Sequence, residues 1–179
     1  MPNASEPSGI RSAIENAITR MSGPEPRSAL VPIGTSRPGA KPPSSKPVPP
    51  APPDANIDDN IKAAAAASFG GKGTPWFYNQ VHSNGPWDYK QLGRQFQDFG
   101  NFNYGATGSA FGYSEDTLLR AAGWAQKRAG TSKPEWGDAP SALQAYVGAG
   151  GEPPYGDDPD DQAMIKQGIE YYKQMMRRD

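Results

Sequence analysis

The chain has 179 residues, no cysteine, one histidine and a net charge of −1. The lack of cysteine excludes disulfides, zinc–thiolate sites and cysteine nucleophiles, and the single histidine excludes any site that needs two. A charge so close to zero gives no general attraction to a polyanion, although a local basic patch could still bind nucleic acid. No apolar run is long enough to span a bilayer, so we expect no stable membrane insertion.

The aromatic residues and the prolines divide the chain into two unlike parts. All eighteen aromatics lie at Phe69 or later, whereas thirteen of the twenty prolines lie at or before Pro53. Large rings supply most of a small core, so we predict that residues 56–179 fold and that a disordered proline-rich leader precedes them. Within this leader, residues 24–55 form a proline-rich linker, which is either a plain spacer or a polyproline ligand for a partner.

The first 23 residues contain a short amphipathic pattern. Apolar residues recur at helical spacing from Ile10 to Met21, and Gly23 follows as a stop signal. Charged residues interrupt the pattern, which excludes a secretory signal peptide. The segment 1–23 is therefore either a docking helix for secretion machinery or a chaperone, or a weakly helical tail.

Local start and stop signals predict three helices in the folded part. The first covers residues 57–68 and ends before a glycine pair. The second covers Glu115–Arg128, with Ser114 as its cap and basic residues in its last turn. The third begins at Pro159 after Asp158, which is a cap residue. The fold class that follows is mainly α: a small single helical domain with glycine-rich loops.

Three further segments are harder to assign from their residues. Pro86 is typical of a first helical turn, so we expect a helix that includes residues 87–91. Residues 76–81 have some strand character and are equally compatible with a helix. Residues 99–108 contain three aromatics, two asparagines and three glycines, which is poor composition for ordinary core. We expect a loop here, either shaped as a site or well packed and structural.

The candidate functional residues lie in polar stretches around these segments. Carboxylates that burial shifts in pKa serve as general acids or bases, amides hold hydroxyl or acetamido groups, and aromatic faces stack on sugars or bases. The catalytic candidates are Asp88, Asp98 and Asp157, and the substrate-binding candidates are Trp87, Lys90, Gln91, Asn101, Asn103 and Tyr104.

The acidic run before the last helix could hold a hard cation, but its spacing does not match a calcium-binding loop. Helix capping already explains Asp158, Asp160 and Asp161, which leaves Asp157 as the functional candidate. We expect no metal and no cofactor. His82, in a turn-like segment, is either a solvated loop residue or a general base.

Five ordered segments resemble the type 44 toxin domain of bacterial polymorphic toxins. They are Trp76–Val81, Gly85–Gln91, Phe99–Gly108, Leu118–Gln126 and Pro154–Gln162. The resemblance covers about residues 74–172 and does not support His82 as catalytic. It implies a secreted C-terminal toxin domain that is delivered into a target bacterium and paired with a cognate immunity protein.

Two enzyme hypotheses follow. The amides, the stacking aromatics and the redox indifference of a cysteine-free chain favour a hydrolase that degrades peptidoglycan in the target periplasm. The resemblance alone suggests the alternative, a ribonuclease in the target cytoplasm. A non-enzymatic binding or pore-forming module is the third class, and the lack of a long apolar segment argues against a pore.

Overall fold

The computed structural model describes residues 47–177. This part has six α-helices: α1 Ile57–Phe69, α2 Thr74–Val81, α3 Gln97–Phe111, α4 Glu115–Arg128, α5 Ala142–Tyr146 and α6 Pro159–Met176. Three short 3-10 helices, Tyr89–Leu92, Arg94–Phe96 and Pro134–Trp136, lie between them, and the described part contains no strand. The predicted mainly helical domain with glycine-rich connections is confirmed. The segment 1–23 and residues 24–46 of the linker lie outside the described residues.

The three helices with local end signals form where the sequence predicts them. The side chain of Ser114 accepts the backbone N–H of Thr117 at 3.1 Å and caps α4. Asp158 caps α6 by accepting the N–H of Asp160 at 2.9 Å. Each cap satisfies a backbone donor that the first turn of a helix leaves unpaired, which is why these starts can be read from sequence.

The expectation of a loop over residues 99–108 is wrong, because these residues form the middle of α3. Their glycines serve close packing between helices. Gly105 lies against the backbone of Ile165 in α6, and Gly168 of α6 lies against the backbone of Phe102. A side chain at either position would overlap a carbonyl group, so the small residues let α3 and α6 approach closely.

The expected helix at residues 87–91 is also wrong. Residues 83–87 form turns. The carboxylate of Asp88, directly after them, accepts a hydrogen bond from the backbone N–H of Asn84 at 2.8 Å. Only a single 3-10 turn follows, Tyr89–Leu92, and Gly93 ends it with a φ of 142°. The ambiguous residues 76–81 are helical and belong to α2.

Helix α3 is the centre of the domain, with α1 on one side and α6 on the other. Phe99 and Phe102 of α3 are buried completely or almost so. An aromatic cluster packs at the α2 end, where the rings of Trp76 and Phe111 stack with centroids 5.7 Å apart and Trp87 meets Trp76 edge-on. In residues 47–177 no helix is long and apolar enough to cross a membrane.

Candidate functional site

The start of α6 places Asp157 in the interior of the domain. Asp157 is only 3% exposed. Gln162, one turn into the helix, donates from Nε2 to Oδ2 of Asp157 at 2.7 Å and to the backbone carbonyl of Leu119 at 3.0 Å. The carboxyl group is therefore held by a side chain that is itself anchored on α4.

Burial changes the acidity of this group. It raises the pKa of Asp157 from an ordinary 3.8 to about 6, and the negative charge of Asp161 adds to the rise. The hydrogen bond from Gln162 and the positive charge of Lys90 offset part of it. A carboxyl group with a pKa near 6 exchanges protons readily around neutral pH, as a general acid–base catalyst must.

Asp161 is the second buried carboxylate and contacts different partners. It is 6% exposed. Its Oδ1 accepts a hydrogen bond from Nε2 of Gln97 at 2.9 Å, and its Oδ2 forms an ion pair with Nζ of Lys90 at 3.4 Å. Lys90 comes from the 3-10 turn and its side chain is 45% exposed, so the cluster reaches solvent through this lysine. We call Asp157, Asp161, Gln162, Lys90 and Gln97 the Asp157 cluster.

The interpretation of Asp161 as a capping residue alone missed this role. Asp161 precedes Ile165 by four residues and Ile169 by eight, and both isoleucines are 1% exposed. Residues at this spacing share one face of a helix, so Asp161 lies on the buried stripe. An acid on an apolar stripe was the signal in the sequence that could have identified it.

Helix α3 carries two more predicted residues on the face that includes Gln97. Asn101 and Tyr104 follow Gln97 by four and seven residues and so lie on its face of the helix. Asn101 is 4% exposed, and its Nδ2 has no hydrogen-bond partner among residues 47–177. The hydroxyl of Tyr104 donates to the carbonyl of Leu118 at 3.2 Å. Burial, with the charge of Asp157 contributing, raises the pKa of Tyr104, so this hydroxyl stays protonated.

Asn103 belongs to a separate polar group between α1 and α3. It is completely buried, and its Oδ1 accepts from Nδ2 of Asn60 at 2.8 Å. The same Asn60 nitrogen donates to the hydroxyl of Tyr89 at 2.7 Å. The arrangement joins two helices and the 3-10 turn, which gives Asn103 a structural position rather than one beside Asp157.

The remaining predicted residues are dispersed. Asp98 and Gln91 are exposed, and Asp88 completes the turn before the 3-10 helix. Trp87 packs in the aromatic cluster, with its ring centroid 5.8 Å from that of Trp76. His82 stacks on Tyr78 at 5.3 Å, and its Nδ1 lies 2.6 Å from the carbonyl of Ser83. The structure thus places Lys90 and Tyr104 close enough to Asp157 for their charges to interact, and it places Asn101 on the same helix face as Gln97.

Residues 47–177 contain no group of three or more His, Asp or Glu side chains placed to hold a metal ion. The Asp157 cluster has two carboxylates. Gln97 and Gln162 donate hydrogen bonds to them, and Lys90 carries the positive charge beside them. Its arrangement suits proton transfer next to a charge-balanced carboxylate.

Comparison with known proteins gives one family. A family model described as bacterial toxin 44 matches residues 92–174. The matched range contains α3, α4, α5 and nearly all of α6, and with them every member of the Asp157 cluster except Lys90. No curated protein and no solved structure matches the chain.

Proposed function

Residues 92–174 match the family model of bacterial toxin 44, and from this premise we propose that the chain is an antibacterial effector toxin that hydrolyses peptidoglycan in the target cell. The observation that carries the proposal is the buried carboxyl group of Asp157, whose pKa of about 6 suits proton transfer at neutral pH. Strongly shifted carboxyl groups are concentrated at catalytic sites, which is what favours a hydrolase over a binding module.

In this proposal Asp157 moves the proton that hydrolysis requires. The carboxylate accepts a proton from the attacking water as the water oxygen bonds to the substrate carbon. The resulting carboxylic acid then gives the proton to the leaving group as the bond between that group and the substrate carbon breaks, so the enzyme returns to its starting state. Gln162 keeps the carboxyl group oriented, and Lys90 balances the charge of Asp161 beside it.

The substrate would enter on the side of Lys90. This side chain is the half-exposed member of the cluster and offers a positive charge at its rim. Peptide stems of peptidoglycan carry carboxylates, which a lysine can bind. Asn101 lies on the same face of α3 as Gln97. Its amide nitrogen, which has no partner within the described part of the chain, can donate to a carbonyl or hydroxyl oxygen of the substrate.

The compartment of action separates this proposal from the ribonuclease alternative. We would express the whole chain in bacterial cells, once in the cytoplasm and once with a periplasmic signal. We expect lysis from the periplasmic form alone, with soluble wall fragments in the medium. Growth arrest from the cytoplasmic form alone, accompanied by loss of RNA, would overturn the proposal in favour of the alternative.

Two variants link the outcome to the site. Asp157→Asn removes the titrating group and should abolish lysis. The matched control is Asp98→Asn, since Asp98 is an exposed acid on the first turn of α3. Full toxicity of Asp157→Asn would show that another group performs the chemistry.

We also propose the partners that such an effector requires. A cognate immunity protein would protect the producing cell, and secretion machinery or a chaperone would bind the segment 1–23. Coexpression of an immunity protein should abolish lysis. Deletion of residues 1–23 should block delivery into rivals yet leave the toxicity of the directly expressed protein intact, whereas normal delivery would contradict this role of the segment.

A further inference from the structure

The turn that leads into α6 has an unusual backbone at a tyrosine. Tyr155 has a φ of 65°, in the left-handed region that residues other than glycine rarely adopt, and Gly156 follows with a φ of 81°. The side chain of Tyr155 is buried, at 9% exposure. Asp157 comes two residues later, so the direction of this turn determines where its carboxyl group lies.

Backbone hydrogen bonds fix the turn on both sides. The N–H of Tyr155 donates to the carbonyl of Glu152 at 2.6 Å, and that of Gly156 donates to the carbonyl of Trp136 at 2.7 Å. The N–H of Asp157 donates to the carbonyl of Pro154 at 3.2 Å. Such a conformation persists only where its surroundings hold it, and these surroundings do so through several independent contacts.

Helix α4 supplies the rest of the support. Gly123 lets the carbonyl of Tyr155 approach the helix so closely that a Cβ at this position would overlap it. One turn earlier, the guanidinium group of Arg120 lies 4.4 Å from the centre of the Tyr155 ring. Arg120 also donates from Nε to the carbonyl of Gly150 at 2.9 Å and forms an ion pair with Asp116.

We propose that Tyr155, held by Arg120 and Gly123, is a positioning residue that keeps the carboxyl group of Asp157 inside the Asp157 cluster. The inference rests on the proposed function of Asp157. Helix α4 then fixes this carboxyl group twice, through the Tyr155 turn and through the bond from Gln162, which is anchored on the carbonyl of Leu119. Two supports from one helix set both the place of the group and its distance from solvent.

The test compares pairs of variants in the full chain. Tyr155→Ala removes the ring from beneath Arg120, and Tyr155→Phe keeps it. Arg120→Lys keeps the charge but loses the planar group. Arg128→Lys is its matched control, because Arg128 lies 5.7 Å from the ring centre of Trp124 on the same helix and outside the turn.

Two readouts are needed. The first is the titration of the Asp157 carboxyl group by carbon-13 NMR, with the signal assigned through Asp157→Asn. The second is the rate of release of soluble fragments from purified cell walls. For Tyr155→Ala and Arg120→Lys we expect the titration midpoint to fall toward the ordinary value of an aspartate and the rate to fall on the order of 10- to 100-fold. Tyr155→Phe should keep both readouts at their wild-type values, and Arg128→Lys should change neither.

A purely structural turn would give a different pattern. Lower melting temperatures for Tyr155→Ala and Arg120→Lys, with the Asp157 titration and the rate unchanged, would overturn the proposal. Should Tyr155→Ala fail to fold, Arg120→Lys decides in the same way. If the wild-type protein releases no wall fragments, the proposed function fails, and the NMR titration by itself still decides whether Tyr155 positions Asp157.

Discussion

In the proposed mechanism, Asp157 has opposite consequences for catalysis and for stability. Its pKa in the folded protein is about 6, above the ordinary value of 3.8, because the buried carboxylate is poorly solvated. Folding is therefore favoured by this group below about pH 4, and that contribution is lost as the pH rises through 6. The full difference corresponds to about 3 kcal/mol.

Asp157→Asn should therefore stabilise the protein while it inactivates the proposed enzyme. We expect its free energy of unfolding to exceed that of the wild type by up to about 3 kcal/mol near pH 8 and to approach it near pH 4. Chemical denaturation at several pH values measures the difference, with Asp98→Asn as the control. A stability difference that stays constant with pH would show that Asp157 is not poorly solvated.

The two charged neighbours of Asp157 should shift its titration in opposite directions. Lys90→Met removes a positive charge and should raise the pKa of Asp157, whereas Asp161→Asn removes a negative charge and should lower it. Carbon-13 NMR of the carboxyl group measures both. Lys166→Met, an exposed lysine on α6, is the control. A shift of the same sign in both variants would contradict the arrangement of the cluster.

For individual residues, the sequence identified part of the Asp157 cluster. Elimination of the capping acids left Asp157 as a candidate, and the structure places it beside Lys90, another candidate. Asp161 was not chosen as a functional candidate, because its place in the first turn of the helix already explained an acidic residue there. The structure shows that the same residue also lies on the buried face of that helix. Asn103 and Trp87 were grouped with the site by their chemistry. Asn103 is instead buried within α3, and Trp87, in the turn before the 3-10 helix, packs against Trp76.

The packing of α3 against α6 depends on glycines at the helix contact. A Cβ at Gly168 would overlap the carbonyl of Phe102, and backbone atoms cannot move aside as a flexible side chain can. Gly168→Ala should therefore separate the two helices and lower the free energy of unfolding by about 3 kcal/mol, despite the better helix propensity of alanine.

Thermal or chemical denaturation would measure this loss, and Gly73→Ala provides the comparison. Gly73 precedes α2 with a φ of −88°, and a Cβ there meets the ring of Pro75 at an ordinary 3.5 Å. We expect a change of at most about 1 kcal/mol for this control. Equal losses in the two variants would mean that the α3–α6 contact tolerates a side chain.

Helices with local end signals were predictable, and α3 was not. The caps at Ser114 and Asp158 act within a few residues, so the sequence contains their whole cause. In α3, each interior glycine disfavours an isolated helix by about 1 kcal/mol. Close packing against α6 offsets that loss, and the partners in this contact are some sixty residues away in the chain.

For the whole molecule, the small net charge predicts a weak response to salt. A net charge of −1 gives no general attraction to a polyanion, and Lys90 is the one cation of the Asp157 cluster. The rate of wall hydrolysis should change by less than about threefold between roughly 50 and 200 mM salt. A polyanion-binding nuclease with several phosphate contacts would lose affinity by orders of magnitude over that range, and such a loss, measured on RNA, would favour the alternative.

The sequence by itself determined the helical class and the capped helices, because composition and end signals act locally. It also contained the toxin family resemblance, which the match to residues 92–174 confirms. The tertiary structure decided that residues 99–108 are a central helix and that Asp157 and Asp161 are buried side by side. Both outcomes depend on contacts between segments far apart in the chain, where solvation and close packing act on residues that local patterns assign to loops and caps.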